Sequence, residues 1–200
     1  MGEPIILSRP DFAAIAAWIP RGASVLDLGC GDGSLLDYLQ TEREVRGYGV
    51  EIDDKNILRC IARGVNVIQA NLDDGLSSFE TGAFDFVILS QTLQATRHTE
   101  KLVREMLRVG REGIVSFPNF GYWKNRLQIM QGHMPVSDEL PYQWYDTPNV
   151  HLCTLRDFEQ LCDDMNMRIL DQRVITNARE VHVLPNLLGS TAVYRFRHAT

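Results

Sequence analysis

The stretch Asp27-Leu28-Gly29-Cys30-Gly31-Asp32-Gly33-Ser34-Leu35-Leu36 decides how the rest of the chain is read. It lies where the short apolar run Val25–Leu28 gives way to a helical pattern with Leu35, Leu36 and Leu39 on one side. Glycines at such a junction let the backbone turn tightly and approach a ligand with no Cβ in the way. The helix that follows turns its N-terminal N–H groups and positive dipole end towards an anion. A strand, a glycine loop and a helix together predict a nucleotide-like ligand at the carboxyl edge of a parallel sheet.

The pattern outward from the loop agrees. Short apolar segments at Gly47–Val50, Val65–Ile68, Phe84–Leu89 and Gly113–Phe117 alternate with helical patterns, notably Lys55–Arg63. Such alternation predicts right-handed βαβ crossovers and a sheet covered on both faces. An opening helix is signalled by Ser8, Pro10 and Asp11, with Phe12, Ile15, Ala16 and Ile19 on one stripe. Between the fourth and fifth strands, Leu102, Val103, Met106 and Leu107 oppose Lys101, Arg104, Arg108 and Arg111, which reads as an outer helix with a solvated basic face. After Phe117 the rhythm changes: four prolines fall between Pro118 and Val150, with little periodicity. A helix capped by Thr154 and two strands, Arg168–Ile175 and Thr191–Arg197, follow, joined by a long connection.

Composition bounds the function. The 200 residues are 44% hydrophobic and 23% charged with a net charge of −6, an ordinary globular balance that predicts one domain over residues 1–200. The acidic balance argues against a nucleic-acid partner. No apolar run is long enough to span a bilayer, and the start lacks a basic leader. Met1-Gly2-Glu3 hints at myristoylation, but Ile6 stands where Ser or Thr is wanted. Cys30, Cys60, Cys153 and Cys162 have no metal-ligand spacing and read as reduced thiols of a cytoplasmic protein, two disulfides being the alternative. No metal site is expected.

The glycine spacing sorts the ligands. A dinucleotide fingerprint is G-x-G-x-x-G, but here the glycines run G-x-G-x-G and Ser34 takes the third position. Asp27 would repel a pyrophosphate but suit a positively charged amino group. The stretch from Asp27 to Gly33 resembles motif I of class I S-adenosylmethionine-dependent methyltransferases. Gly29, Cys30, Gly31 and Gly33 are then the expected loop, with Asp27 at the ligand's amino-acid end. Glu51 ends the second strand eighteen residues after Gly33. Its two oxygens suit a ribose diol, with Ile52 beside it and Asp53 capping the next helix. The resemblance implies an acid after the third strand to accept from the adenine amino group. Asn71 stands there instead; its amide oxygen can accept that bond, with Leu72 facing the ring, or it can be a turn residue. Ser90, ending the fourth strand, is read as a cofactor-pocket residue or a helix cap.

No [DN]-P-P-[YF] motif follows the fourth strand, and no paired motif names a general base. His133, His151, Tyr142, Tyr145 and Asp146 are candidates by position alone. The catalytic residues, and whether the chain is an enzyme, stay open. Seven of the seventeen aromatic residues fall between Phe117 and Tyr145. This aromatic insert, at about 118–150, reads as a lid, a partner interface or a hydrophobic cover.

Four longer blocks resemble the MetW family of methionine biosynthesis proteins: Val25–Leu39, Phe84–Thr96, Arg104–Trp123 and Met134–Leu155. The resemblance implies a Rossmann-like, doubly wound α/β sheet of class I methyltransferase type. Seven strands are expected, mainly parallel, in the order 3-2-1-4-5-7-6 with the last antiparallel. It implies S-adenosylmethionine or S-adenosylhomocysteine as cofactor and homoserine O-acyltransferase, MetX, as partner. Two functions follow: an accessory or regulatory subunit of that acyltransferase, or a methyltransferase acting on a small-molecule acceptor.

Overall fold

The computed structural model describes residues 9–199. Met1, Gly2, Glu3, Ile6 and Ser8, which entered the readings of the chain's start, lie outside them. Helix α1 (Pro10–Trp18) leads into β1 (Ser24–Leu28), α2 (Ser34–Arg43), β2 (Arg46–Glu51), α3 (Asp54–Ala62), β3 (Val67–Gln69) and β4 (Phe84–Ser90). Then come α4 (Thr99–Val109), β5 (Gly110–Pro118), α5 (Trp123–Met130), α6 (Leu155–Asp164), β6 (Met167–Thr176), β7 (Arg179–Glu180), α7 (Pro185–Leu188) and β8 (Thr191–His198).

The strands form one sheet in the order β3-β2-β1-β4-β5-β8-β6-β7. The first five are parallel, and β8 inserts antiparallel between β5 and β6. That is the expected architecture with one strand more. The extra strand is β7, a two-residue edge paired with β6 through a hairpin whose Asn177 and Ala178 both take positive φ. So short a strand leaves no alternation to read.

Alternation along the strands splits the apolar residues between the two faces. Leu26, Leu28, Val87 and Leu89 join a core with Met106 of α4 and with Phe158 of α6. Val25, Phe86, Ile88 and Ile114 point the other way, to α1 and α2. In the first core, Phe117, Phe158, Tyr194 and Phe196 pack ring on ring at 4.8–5.9 Å.

Two local readings change. Helix α4 ends at Val109, so Arg111 belongs to β5 and not to the basic helix face. On that helix, Arg104 pairs with Glu100 and Arg108 with Glu105, as a solvated face would. The aperiodic stretch after Pro118 contains helix α5, of which only Asn125 is buried. A helix with no buried apolar stripe has no period to show. Thr154 caps α6 with a reciprocal box to Asp157. Among the described residues, no helix is long and apolar enough to cross a membrane, and no group of three ligating side chains suits a metal.

Candidate functional site

The loop after β1 is stitched to β2: the N–H groups of Gly29 and Cys30 donate to Val50 O at 2.8 and 3.1 Å. Gly29 has φ +69°, and a Cβ there would come within 2.7 Å of Thr92 Oγ1. Glycine is therefore required both by backbone conformation and by the approach of the chain after β4. Gly33, at φ +77°, is the N-cap of α2, and a Cβ on it would meet Cys60 Sγ at 2.9 Å.

Glu51 is held at the mouth of this loop. Its Oε2 accepts from Gly31 N at 2.8 Å, and its Oε1 accepts from Ile52 N and Asp53 N at 2.8 and 2.9 Å. A carboxylate offers about four acceptor sites, so three backbone bonds fix its orientation and leave capacity for one more donor. Asp53 caps α3 by accepting from Asn56 N.

Beside Glu51 opens a cavity of about 280 Å³. Val50, Ile52, Ala70 and Leu72 make its apolar walls, while Gly29, Asn71 and Thr92 supply polar edges. Asn71 caps a short 3₁₀ turn, Leu72–Asp74, its side chain accepting from Asp73 N at 3.1 Å. The turn role is thus present, and Oδ1 keeps a second acceptor position.

The expected site residues divide. Gly29, Glu51, Ile52, Asn71 and Leu72 line the cavity; Gly31 does not, but its N–H holds Glu51. Cys30 does not line it. Its Sγ lies 3.8 Å from that of Cys60, packed beneath Gly49, and all four cysteines are free thiols. Burial pushes the Cys30 thiol up, and Cys153 and Cys162 up to about 12, so none is a ready nucleophile. Ser90 also lies outside the cavity. Its hydroxyl donates to Asp11 at 2.9 Å and accepts from Arg9 at 2.9 Å, with Ser116 alongside. This buried cluster ties α1 to the ends of β4 and β5. Its signal was Asp11 on an otherwise apolar helix stripe.

Asp27 is buried beneath the loop, and its Oδ1 has no hydrogen-bond partner. Burial raises its pKa to about 7, against the pull of Arg9 and with a further push from Glu51. A cationic group placed against it would supply the missing partner. Thr92, Ala95 and Thr96 also line the cavity. The apolar-polar stretch after β4 carried no motif to announce them. Of the base candidates, Tyr142 lines a different cavity and His151 makes a 3.3 Å contact to Arg97 O. None lines the cavity beside Glu51.

The family model described as methionine biosynthesis protein MetW matches residues 9–196. A bifunctional methionine biosynthesis protein MetXA/MetW from Rhodopirellula baltica is 37% identical over 201 residues, covering 93% of this chain and 32% of that protein. The chain thus spans about a third of the length of that curated relative. Among solved structures, an S-adenosylmethionine-dependent methyltransferase from Archaeoglobus fulgidus aligns with TM-score 0.72 at 15% identity, over 98% of this chain and 94% of that one. Magnesium protoporphyrin IX methyltransferase from Synechocystis, solved with bound S-adenosylhomocysteine, aligns with TM-score 0.67 at 18% identity, over 98% and 85%.

Proposed function

Since the chain belongs to the MetW family of methionine biosynthesis proteins, we propose that it binds S-adenosylmethionine or S-adenosylhomocysteine and acts as an accessory or regulatory partner of a homoserine O-acyltransferase. The observation that carries the ligand is Glu51, a carboxylate oriented by three backbone N–H groups beside an apolar slot. In this reading Glu51 accepts from one ribose hydroxyl with its remaining acceptor position, and the slot takes the adenine against Leu72. Asp27 faces the ammonium at the amino-acid end. Gly29 keeps the loop close.

The partner rests on the Rhodopirellula protein, whose name joins MetXA and MetW in one bifunctional chain. The aromatic insert supplies anchors for such contact. Trp144 and Tyr145 are each 70% exposed and pack edge to face. A physical route joins insert and ligand slot. Val150 N and His151 N both donate to Gln94 O, in the 3₁₀ turn whose Ala95 lines the cavity. A ligand against that turn would bias the insert only by as much as its affinity differed between two arrangements of it.

The test is to purify the chain with and without the acyltransferase and to assay acyl transfer and methyl transfer in parallel, with calorimetry for the adenosyl ligand. The expected result is ligand binding, association, and acyl transfer raised by the complex, with no methylated product. Turnover of S-adenosylmethionine to S-adenosylhomocysteine with a small acceptor would make the chain a methyltransferase instead. Tight NAD binding with no response to S-adenosylmethionine would overturn the ligand reading.

A further inference from the structure

A second cavity, of about 600 Å³, opens on the other side of the Ser90–Thr92 turn. Gln91 lines it while its neighbour Thr92 lines the first. Three regions far apart in sequence build its walls: the start of α1, the insert at Asp138–Tyr142, and the β6–β7 hairpin with the start of β8. Its volume falls in the range of small-molecule sites.

Charge decides what it would take. Arg9 lines it, but its Nε and Nη2 are bound by the two carboxylate oxygens of Asp11 at 2.9 and 2.7 Å, so that pair is close to neutral. Asp138 and Glu139 also line it, and among the described residues neither has an ion-pair partner. The cavity is thus left net negative. Tyr142 adds an aromatic ring to the same wall, a surface that attracts cations through its π face. Gln91, Asn177 and Ser190 bring uncharged hydrogen-bonding groups.

The polar floor is built rigidly. Gln91 takes φ +51°, a left-handed conformation that a non-glycine residue adopts only where its surroundings hold it. It is held there by its N–H, which donates to Ser116 O and Ser116 Oγ at 2.9 and 3.1 Å. Ser116 in turn donates to Asp11. The buried serine-aspartate cluster therefore fixes the residue that divides the two cavities.

We propose that this second cavity is a binding site for a small molecule bearing a positively charged amine, with Asp138 and Glu139 facing the ammonium group and Tyr142 alongside. The site is built from residues outside the glycine loop and stands whether or not the first cavity takes an adenosyl ligand.

The test uses matched probes on the isotope-labelled full chain: butylammonium, butyrate and butanol at equal concentration, followed by amide NMR shifts. Butylammonium should move the amides of Gln91, Asn177 and Thr191, and the other two should not. The double variant Asp138→Asn/Glu139→Gln, two partly exposed sites on the insert, should weaken the amine about five-fold. Tyr142→Leu should weaken it less. S-adenosylhomocysteine is titrated into the same samples. If it fails to bind while the amine shifts persist, the adenosyl reading falls and this one stands. Equal shifts from all three probes, shifts confined to other surfaces, or full affinity in the double variant would overturn the site.

Discussion

The sheet and the insert spend their aromatic residues in opposite ways. In the sheet, Phe117, Phe158, Tyr194 and Phe196 are sealed between β5, β8 and α6. In the insert, Tyr122 is buried but Trp123, Tyr142, Trp144 and Tyr145 are exposed. The attachments differ as well. The sheet is closed by apolar packing, whereas the insert is tied to the body by an amide: Asn119 Nδ2 donates to Gly189 O at 2.8 Å and to Asn186 O at 3.1 Å. Buried rings supply stability in proportion to the area removed from water. Exposed rings supply none until something covers them, and contiguous exposed apolar surface marks contact sites. The two regions should therefore respond to truncation in different assays.

The largest effect tests the sheet. Phe158→Ala removes a fully buried ring and should cost about 3–5 kcal/mol of unfolding free energy, read by denaturant titration. A loss under 1 kcal/mol would mean that the aromatic core does not hold the sheet.

Glu51→Ala comes next and belongs to the ligand side of the sheet. Loss of a charged hydrogen bond should weaken the adenosyl ligand by about 1.5–3 kcal/mol in calorimetry. The same change strands three backbone N–H groups, so stability falls too; Glu51→Gln, whose one amide oxygen can still accept from Ile52 N and Asp53 N, removes the charge at a smaller cost in stability. Undiminished affinity in both variants would remove Glu51 from the site.

Trp144→Ala sharpens the contrast from the insert side. With the side chain exposed, stability should stay within about 0.5 kcal/mol of the parent. Association with the acyltransferase should weaken by up to about 2 kcal/mol if Trp144 is a hot spot, measured by surface-binding kinetics. A large drop in melting temperature with unchanged association would reverse the assignment of the two regions. Trp123, 42% exposed, should behave in the same way.

The last test is a slope. Asp27 holds its proton up to about pH 7 in the folded chain, against an ordinary value of 3.8. Between those values the folded state binds the extra proton, so stability from this group falls as pH rises. Asp27→Asn should flatten stability against pH between about 4 and 7. An ammonium ligand needs the ionised form, so parent affinity for the adenosyl ligand should be lower at pH 6 than at pH 8, and the variant should lose that dependence. An unchanged stability slope would show that Asp27 titrates elsewhere.

The same contrast explains what could be read from the sequence. The parallel strands and α4 were legible because burial stamps a period on them: Leu102, Val103, Met106 and Leu107 can only be the inner side of a helix. The glycine loop and Glu51 were legible because backbone constraints restrict the residues allowed there. Helix α5 was not, because its outward Trp123, Leu127 and Met130 follow no core. Cys30 and Ser90 were placed near the ligand by their neighbours in sequence, but the side chains turn toward Cys60 and Asp11. Adjacency along a chain says nothing about which way a side chain points once the backbone leaves regular structure. Thr92, Ala95 and Thr96 reach the cavity through a 3₁₀ turn, which has no pattern of its own.

Strand order also dictates an order of assembly. Residues 24–118 carry five neighbouring parallel strands, which can pair as they are made. The outer edge of β5 is different: its partner is β8, which begins at Thr191, and β6 can join the sheet only through β8. Until β8 arrives, β5 leaves the backbone of Gly113–Pro118, with Ile114, Val115 and Phe117 among them, unpaired on that side, the kind of edge that recruits strands from other molecules. Closing a loop of that length is slow. The chain is therefore most vulnerable to aggregation after β5 is made and before β8 joins it, and a partner or ligand that acts only on the finished fold comes too late to protect it.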